Sequence, residues 1–78
     1  MFNIRIKINT IENVKEFVKI MTKQPFEADL IGDRYIVDAK SIMGIFSLDL
    51  TTPKELHIQT SDEGSFNKFK EEINKFIV

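Results

Sequence analysis

The sequence lacks several features that define common classes of protein. It has 78 residues, no cysteine, no tryptophan and a single histidine. Without cysteine there are no disulfides and no thiol chemistry, and a secreted domain of this size would normally need such cross-links. One histidine is too few for a typical zinc site. We therefore expect a cytoplasmic protein that holds no metal or other cofactor.

Neither charge nor hydrophobicity is concentrated in one part of the chain. The formal net charge is −1 with acids and bases interleaved, whereas a nucleic-acid-binding domain usually has a basic excess. No apolar run approaches the roughly 20 residues that span a bilayer, and the amino-terminal pattern is unlike a signal peptide. We expect one domain over residues 1–78, with no nucleic-acid and no membrane partner.

The hydrophobic pattern predicts four strands and three helices. Strands are predicted over 2–8, 26–30, 34–39 and 55–60. The first helix begins after Asn9 or Thr10 and ends near Thr22, with the apolar stripe Ile11, Val14, Phe17, Val18 and Met21. A short helix follows Ser41, and Ser65 is predicted to cap a last helix with the stripe Phe66, Phe69, Ile73, Phe76 and Ile77. The order βαββαβα predicts an α+β open-faced sandwich, with three helices on one face of a four-stranded antiparallel sheet.

The two middle strands are predicted to form a hairpin. Gly32-Asp33 suits a two-residue turn with glycine at positive φ. This turn would set Leu30 opposite Tyr35 and Ala28 opposite Val37 on the core face.

The same pairing puts Ile31 and Ile36 on the outer face of the sheet, among polar side chains. Apolar residues at a hairpin edge leave a weak dimer open as an alternative to the monomer that we expect.

The segment after Ala39 carries the most specific functional signal. Ser41 is predicted to be a helix N-cap, and the helix that it opens is apolar nearly all round. Because so short a helix buries only one face, some of its apolar residues must reach solvent or a partner. We interpret Ile45, Phe46 and Leu48 as core, and we predict a partner-docking surface formed by Lys40, Ile42 and Met43.

The run Lys40-Ser41-Ile42-Met43-Gly44, in this strand–helix context, resembles the HPr phosphocarrier family. The similarity continues through Ile45-Phe46-Ser47-Leu48 to Glu55-Leu56, and Phe26 to Leu30 is similar to the second strand of that family. The resemblance covers almost the whole chain, although the hairpin around Gly32 is shorter. It implies the HPr-like fold.

Phosphocarrier activity in that family depends on a histidine at the start of the first helix, followed closely by an arginine. In the corresponding places this chain has Glu12 and Val14, a degenerate phosphocarrier site. A carboxylate cannot form the stable, transferable phosphoramidate that an imidazole forms. Glu12 is interpreted as a first-turn acid that favours the helix dipole, and a mimic of phosphohistidine is the sharper alternative.

The resemblance also implies a regulatory role. In HPr-like proteins the serine matching Ser41 is phosphorylated by an ATP-dependent HPr kinase, and the phosphoserine form binds a catabolite-control transcription regulator. Crh-like relatives lack the histidine and keep only this role. We expect a non-enzymatic regulatory protein of the sugar phosphotransferase system or of carbon catabolite control, phosphorylated on Ser41. Its partners would be that kinase, that regulator or phosphotransferase-system enzymes.

The sequence alone leaves three other interpretations open. Ser41 can be simply a helix cap, worth about 1 kcal/mol. A phosphocarrier of the phosphoenolpyruvate-dependent system would need an unusual acceptor such as His57, which we interpret as a solvated strand residue. A third interpretation is a structural or small-ligand-binding module that kept the fold and lost both phosphorylation roles.

Overall fold

The computed structural model describes all of residues 1–78. The elements are β1 (Phe2–Ile6), α1 (Ile11–Thr22), β2 (Glu27–Ile31), β3 (Ile36–Asp38), α2 (Ile42–Phe46), β4 (Lys54–Gln59) and α3 (Glu63–Glu72), followed by a 3-10 turn (Asn74–Phe76). The strands form one antiparallel sheet in the order β1-β4-β2-β3. The predicted α+β class and element order are confirmed. None of the helices has the length and apolar character needed to cross a bilayer.

A single apolar core joins the helices to one face of the sheet. It includes Leu56 and Ile58 of β4, Val14 and Phe17 of α1, and Phe69 of α3, all fully buried. Alternate residues of each strand face this core, as the period-2 pattern predicts.

One member of the predicted α1 stripe is not in the core. Ile11 is largely exposed, because it is the first helical residue and the turn that packs on the core begins at Val14. Thr10 caps the helix as predicted, and its hydroxyl accepts a hydrogen bond from the Asn13 N–H over 3.1 Å.

The β2–β3 hairpin differs from the prediction in both its turn and its register. Leu30 pairs with Val37 rather than with Tyr35, so Ala28 is not opposite Val37 either. The four residues 32–35 join the strands, and the Gly32 N–H donates to the Tyr35 carbonyl over 2.9 Å. No glycine has a positive φ, so a two-residue turn of the predicted kind is absent.

The outward placement of the hairpin isoleucines is confirmed. Ile31 and Ile36 are directly paired on the sheet face that lies away from the core, and Ile36 is 62% exposed. A two-residue change of register leaves every side chain on its own face, because the side-chain period of a strand is also two.

The two edges of the sheet differ. The carboxyl-terminal residues lie along β1, where the Lys7 N–H donates to the Phe76 carbonyl over 2.8 Å and the Val78 N–H donates to the Arg5 carbonyl over 3.1 Å. No strand or terminal segment pairs with the outer edge of β3. The sheet therefore has one partly covered edge and one open edge.

The start of α3 also differs from the prediction. Asp62, not Ser65, is the N-cap. Its carboxylate accepts hydrogen bonds from the Ser65 hydroxyl over 2.6 Å and from the Gly64 N–H over 3.2 Å. The Ser65 hydroxyl and then the Gly64 N–H lower the pKa of Asp62 below its ordinary value, because they stabilise the charged form.

We expect Gly32→Ala to destabilise the protein by about 1–3 kcal/mol, the usual cost of overpacking. A Cβ at this position would lie 2.6 Å from Leu48 Cδ2 and 3.0 Å from the Tyr35 carbonyl oxygen. Urea unfolding measures the change. Gly64→Ala is the matched control, since its nearest neighbour would be 3.5 Å away. Equal unfolding midpoints for the two variants would contradict the close approach of the hairpin to Leu48.

We expect the stability conferred by the Asp62 cap to depend on pH. A carboxyl with a lowered pKa in the folded chain stabilises it above its unfolded pKa, about 4, and this contribution is lost as the pH falls through the folded pKa. Asp62→Asn should therefore be less stable than wild type at pH 7, and the gap should shrink at acid pH, below the unfolded pKa of about 4. Denaturant unfolding at both pH values tests this, with Asp33→Asn in the hairpin loop as control. A gap independent of pH would argue against it.

Candidate phosphorylation and docking site

The short helix α2 is held at its start by Ser41. The Ser41 Oγ accepts a hydrogen bond from the Gly44 N–H over 3.1 Å, which confirms the predicted N-cap. Gly44 lets the helix lie close to the sheet, because a Cβ there would be 3.1 Å from the Cβ of Val37. Ser41 itself is half-buried, at the end of the helix where backbone N–H groups point outward.

The two sides of α2 have opposite exposure. Ile45 is fully buried and Ile42 packs partly against the core. Met43 is 77% exposed and Phe46 is 41% exposed. The expectation that Phe46 is core is therefore wrong. Residues three apart share one side of a helix, so the exposure of Met43 already implies that of Phe46.

We call Met43 and Phe46, with Ser41 at their margin, the α2 patch. Large exposed apolar side chains on a small domain are typical of contact surfaces, and methionine adapts to partners of different shape.

The Lys40 ammonium is engaged away from Ser41. Its Nζ forms an ion pair with the Glu27 carboxylate at 3.2 Å and donates to the Gln24 carbonyl over 3.2 Å. The side chain is only 20% exposed. Lys40 makes no hydrogen bond with Ser41, and its backbone N–H donates to the Asp38 side chain over 2.9 Å. Lys40 thus fixes the chain leading into α2, tying it to the start of β2.

The far end of α2 is held by the hairpin loop. The Tyr35 hydroxyl donates to the Ser47 carbonyl over 2.6 Å, and the Ser47 hydroxyl donates to the Gly44 carbonyl over 2.6 Å. Leu48, which follows, packs in the core beside Gly32. The prediction that Tyr35 lies on the core face opposite Leu30 is wrong, since Tyr35 is in the loop and 48% exposed. Its contact with α2 was not predicted because it depends on the hairpin register.

A turn after α2 is ordered by Asp49. Its carboxylate accepts hydrogen bonds from the Thr51 hydroxyl over 2.6 Å and from the Thr51 N–H over 3.0 Å. These bonds, the hydroxyl first, lower the pKa of Asp49 below its ordinary value. The carboxylate is therefore a fixed anion just beyond the α2 patch in the chain.

The predicted degenerate phosphocarrier residues have different environments. Glu12 is exposed in the first turn of α1, where a carboxylate favours the helix dipole. Val14 is fully buried in the core. No basic side chain occupies the first turn beside Glu12, since residues 11–14 are Ile, Glu, Asn and Val.

His57 lies in the middle of β4, on the open face of the sheet. It pairs in register with Asn3 of β1 and with Asp29 of β2, and its Nε2 is 3.3 Å from the Glu55 carboxylate. The side chain is partly exposed. Its direct neighbours in the sheet are Asn3 and Asp29, and it lies mid-strand, away from any helix end.

The surface has three open depressions, of about 470, 300 and 380 Å³, and none is lined by Ser41, Glu12 or His57. No group of three His, Asp or Glu side chains is arranged to hold a metal ion. The candidate site is therefore an exposed surface around α2 and not an enclosed cavity.

Comparison with known proteins identifies the fold. Neither a scan against protein-family models nor a search of curated proteins finds a match. Among solved structures, HPr-C-His from Thermoanaerobacter tengcongensis is 24% identical, with 96% of this chain and 93% of that chain covered and a TM-score of 0.76. Phosphocarrier protein HPr from Bacillus anthracis str. Ames is 22% identical, with 92% and 95% covered and a TM-score of 0.71. The protein has the HPr fold. The fold implied by the Lys40 to Gly44 run is thereby confirmed.

We expect Tyr35→Phe to loosen α2. The variant keeps the ring and loses the hydrogen bond to the Ser47 carbonyl, a change worth about 0.5–1.5 kcal/mol. Urea unfolding gives the loss of stability, and amide hydrogen exchange should show faster exchange in α2 than in α3. Phe46→Tyr is a control that adds a hydroxyl on exposed α2 surface. Unchanged exchange at residues 44–48 would mean that the hairpin does not hold the helix.

Proposed function

We propose that this protein is a regulatory interaction module of the sugar phosphotransferase system or of carbon catabolite control. It is cytoplasmic and not an enzyme, it does not carry phosphate on histidine, and it is phosphorylated on Ser41. The observation that supports this best is the placement of Ser41 beside exposed Met43, while the only histidine lies on the opposite face of the sheet.

The link to the phosphotransferase system comes from the fold and from one segment. Both solved structures above are HPr proteins, and one is described as a phosphocarrier. A fold alone does not determine function. The run from Lys40 to Gly44, which resembles the regulatory serine segment of HPr proteins, adds a specific site to the fold.

The surroundings of Ser41 suit a phosphate. The Gly44 N–H already points at the Ser41 Oγ, and the first N–H groups of α2 have no partner within the helix. A phosphoserine carries about −1.5 to −2 charges and three acceptor oxygens, which these donors and the positive end of the helix would stabilise. The modification needs no basic side chain nearby, which is consistent with the engagement of Lys40 by Glu27.

Phosphorylation would change what a partner meets at the α2 patch. Without phosphate, the patch offers Met43 and Phe46, both apolar and exposed. With phosphate, a dianion lies two residues from Met43. A partner with an apolar pocket and adjacent arginines would then bind the modified form preferentially. Ile42 packs partly against the core, so it contributes less exposed surface to the patch than Met43 or Phe46.

Carrier chemistry has no comparable support. A phosphocarrier needs an exposed imidazole with positive charge or N–H donors around the transferred group. Glu12 offers a carboxylate in place of an imidazole, and Val14 is buried. His57 is flanked by Glu55 and Asp29. Acidic neighbours repel an incoming phosphoryl group, so His57 is a poor acceptor.

Incubation with a bifunctional HPr kinase and ATP tests the proposal. We expect one phosphate, located on Ser41 by mass spectrometry and absent from Ser41→Ala. Ser47→Ala is the matched control, because Ser47 lies at the other end of the same helix and should leave the modification intact. No phosphate on wild type, or equal phosphate on Ser41→Ala, would refute the phosphorylation role.

A parallel incubation separates the two kinds of phosphorylation. Phosphoenolpyruvate and the general upstream enzyme of the phosphotransferase system should give no acid-labile phosphate. An acid-labile phosphate that disappears in His57→Gln would instead favour a carrier. Binding of the phosphorylated protein to a catabolite-control regulator should be lost in Met43→Asp and kept in Lys15→Glu, an exposed change on α1.

A further inference from the structure

A chain of hydrogen bonds connects the hairpin loop to Ser41 along the length of α2. The Tyr35 hydroxyl donates to the Ser47 carbonyl over 2.6 Å and lies 3.2 Å from the Ser47 Oγ. The Ser47 hydroxyl donates to the Gly44 carbonyl over 2.6 Å, and the Gly44 N–H donates to the Ser41 Oγ over 3.1 Å. Only Ser47 and Gly44 therefore separate the hairpin tyrosine from the helix cap.

The helix between these two residues is held by few contacts. It has five residues, of which only Ile45 is buried. Because so short a helix is not stable alone, the bond at each of its ends supplies a large share of its stability. Loss of either bond should fray the helix and weaken the bond at the other end, since contacts that act on one cooperative element are not additive.

The hairpin loop, residues 32–35, depends on the end of α2 for its own order. Tyr35 is the one loop residue whose side chain forms a hydrogen bond, and that bond is to Ser47. Gly32 lies against Leu48, which follows Ser47. The Gly32 N–H donates to the Tyr35 carbonyl over 2.9 Å and closes the loop. A helix that frays at this end therefore releases the side of the loop that Tyr35 holds.

We propose that Tyr35 couples the hairpin loop to Ser41, so that the loop tightens when the start of α2 is held firmly and loosens when it is not. The connection is a continuous path of hydrogen bonds within one short element. The loop is then a second surface, apart from the α2 patch, at which a partner meets a difference between the two states of Ser41. The Tyr35 side chain is half-exposed, so a partner can contact it.

Phosphorylation of Ser41, which rests on the function proposed above, is the change that would use this connection. The kinase transfers the terminal phosphoryl group of ATP to the Ser41 oxygen, which loses its proton, and ADP leaves. The phosphate adds acceptor oxygens beside the Gly44 N–H, and a hydrogen bond to a charged acceptor is stronger than one to a neutral acceptor. The start of α2 is then held more firmly, and through Tyr35 the loop should open less often.

Amide hydrogen exchange at Gly32 tests the coupling without any kinase. This N–H bonds the Tyr35 carbonyl, so its exchange measures how often the loop opens. Ser41→Ala removes the cap and should speed Gly32 exchange about threefold or more. In Tyr35→Phe the loop has already lost its bond to Ser47, so the further change Ser41→Ala should speed Gly32 exchange much less.

A cap removed from another helix is the matched control. Thr10→Ala removes the cap of α1, where the Thr10 hydroxyl accepts from the Asn13 N–H over 3.1 Å. It should leave Gly32 exchange close to the wild-type rate, which separates the coupling from a general loss of stability. The protein phosphorylated on Ser41 should exchange at Gly32 more slowly than the unmodified protein, and phosphorylated Tyr35→Phe should not.

Four outcomes would overturn the proposal. Gly32 exchange that Ser41→Ala leaves unchanged would show that the loop does not respond to the cap. An equal effect of Ser41→Ala in wild type and in Tyr35→Phe would show that the connection does not pass through Tyr35. Equal acceleration by Thr10→Ala would show that the loop opens only with the whole domain. A phosphate on Ser41 without slower Gly32 exchange would refute the coupling alone, whereas a Ser41 that the kinase does not modify would refute the proposed function and leave the three variants to decide the coupling.

Discussion

A helix of five residues has almost no stability of its own, because it forms too few internal hydrogen bonds to offset the cost of its nucleation. The existence of α2 therefore depends on contacts made by its ends and by one side chain. The Ser41 hydroxyl satisfies a donor at its start, Tyr35 bonds the carbonyl just past its end, and Ile45 is buried in the core. The first contact is local to the helix, and the other two attach it to the hairpin loop and to the core.

The contacts of Tyr35 and Ile45 fix the orientation of α2 and thereby its outer surface. Once Ile45 points into the core, Met43 must point outward, and Phe46 shares its side of the helix. The absence of a side chain at Gly44 allows the helix to lie against Val37. The α2 patch is thus a consequence of how a very short helix is attached, and the same cap that holds the helix is the proposed phosphorylation site.

Much of this could be predicted from the sequence, because the relevant signals are local. The cap at Ser41, the strand faces and the outward Ile31 and Ile36 follow from side-chain type and spacing. The hairpin register could not be predicted in this way. The two registers differ by two residues, so both keep each strand side chain on the same face of the sheet. Only the observed register leaves Tyr35 outside the strand, where it is 48% exposed.

What decides the register is not local. The Gly32 N–H bonds the Tyr35 carbonyl, and Gly32 lies against Leu48, a residue that is distant in the sequence. The cap of α3 shows a similar limit. Asp62 and Ser65 are both good cap residues three positions apart, and only the geometry makes the Ser65 hydroxyl a donor to Asp62.

The register also determines which side chains meet on the open face of the sheet. It pairs Asp29 with Asp38 and Ile31 with Ile36, so the outer face has an uncompensated repulsion next to an exposed apolar pair. With Leu30 opposite Tyr35, Asp38 would lie opposite Glu27 and Ile36 opposite Asp29, so the exposed isoleucine pair would not form. The hairpin loop, whose Tyr35 bonds the end of α2, thus also determines that Asp29 faces Asp38 and that Ile31 faces Ile36. A change in the hairpin would therefore alter the α2 patch and the open face of the sheet together.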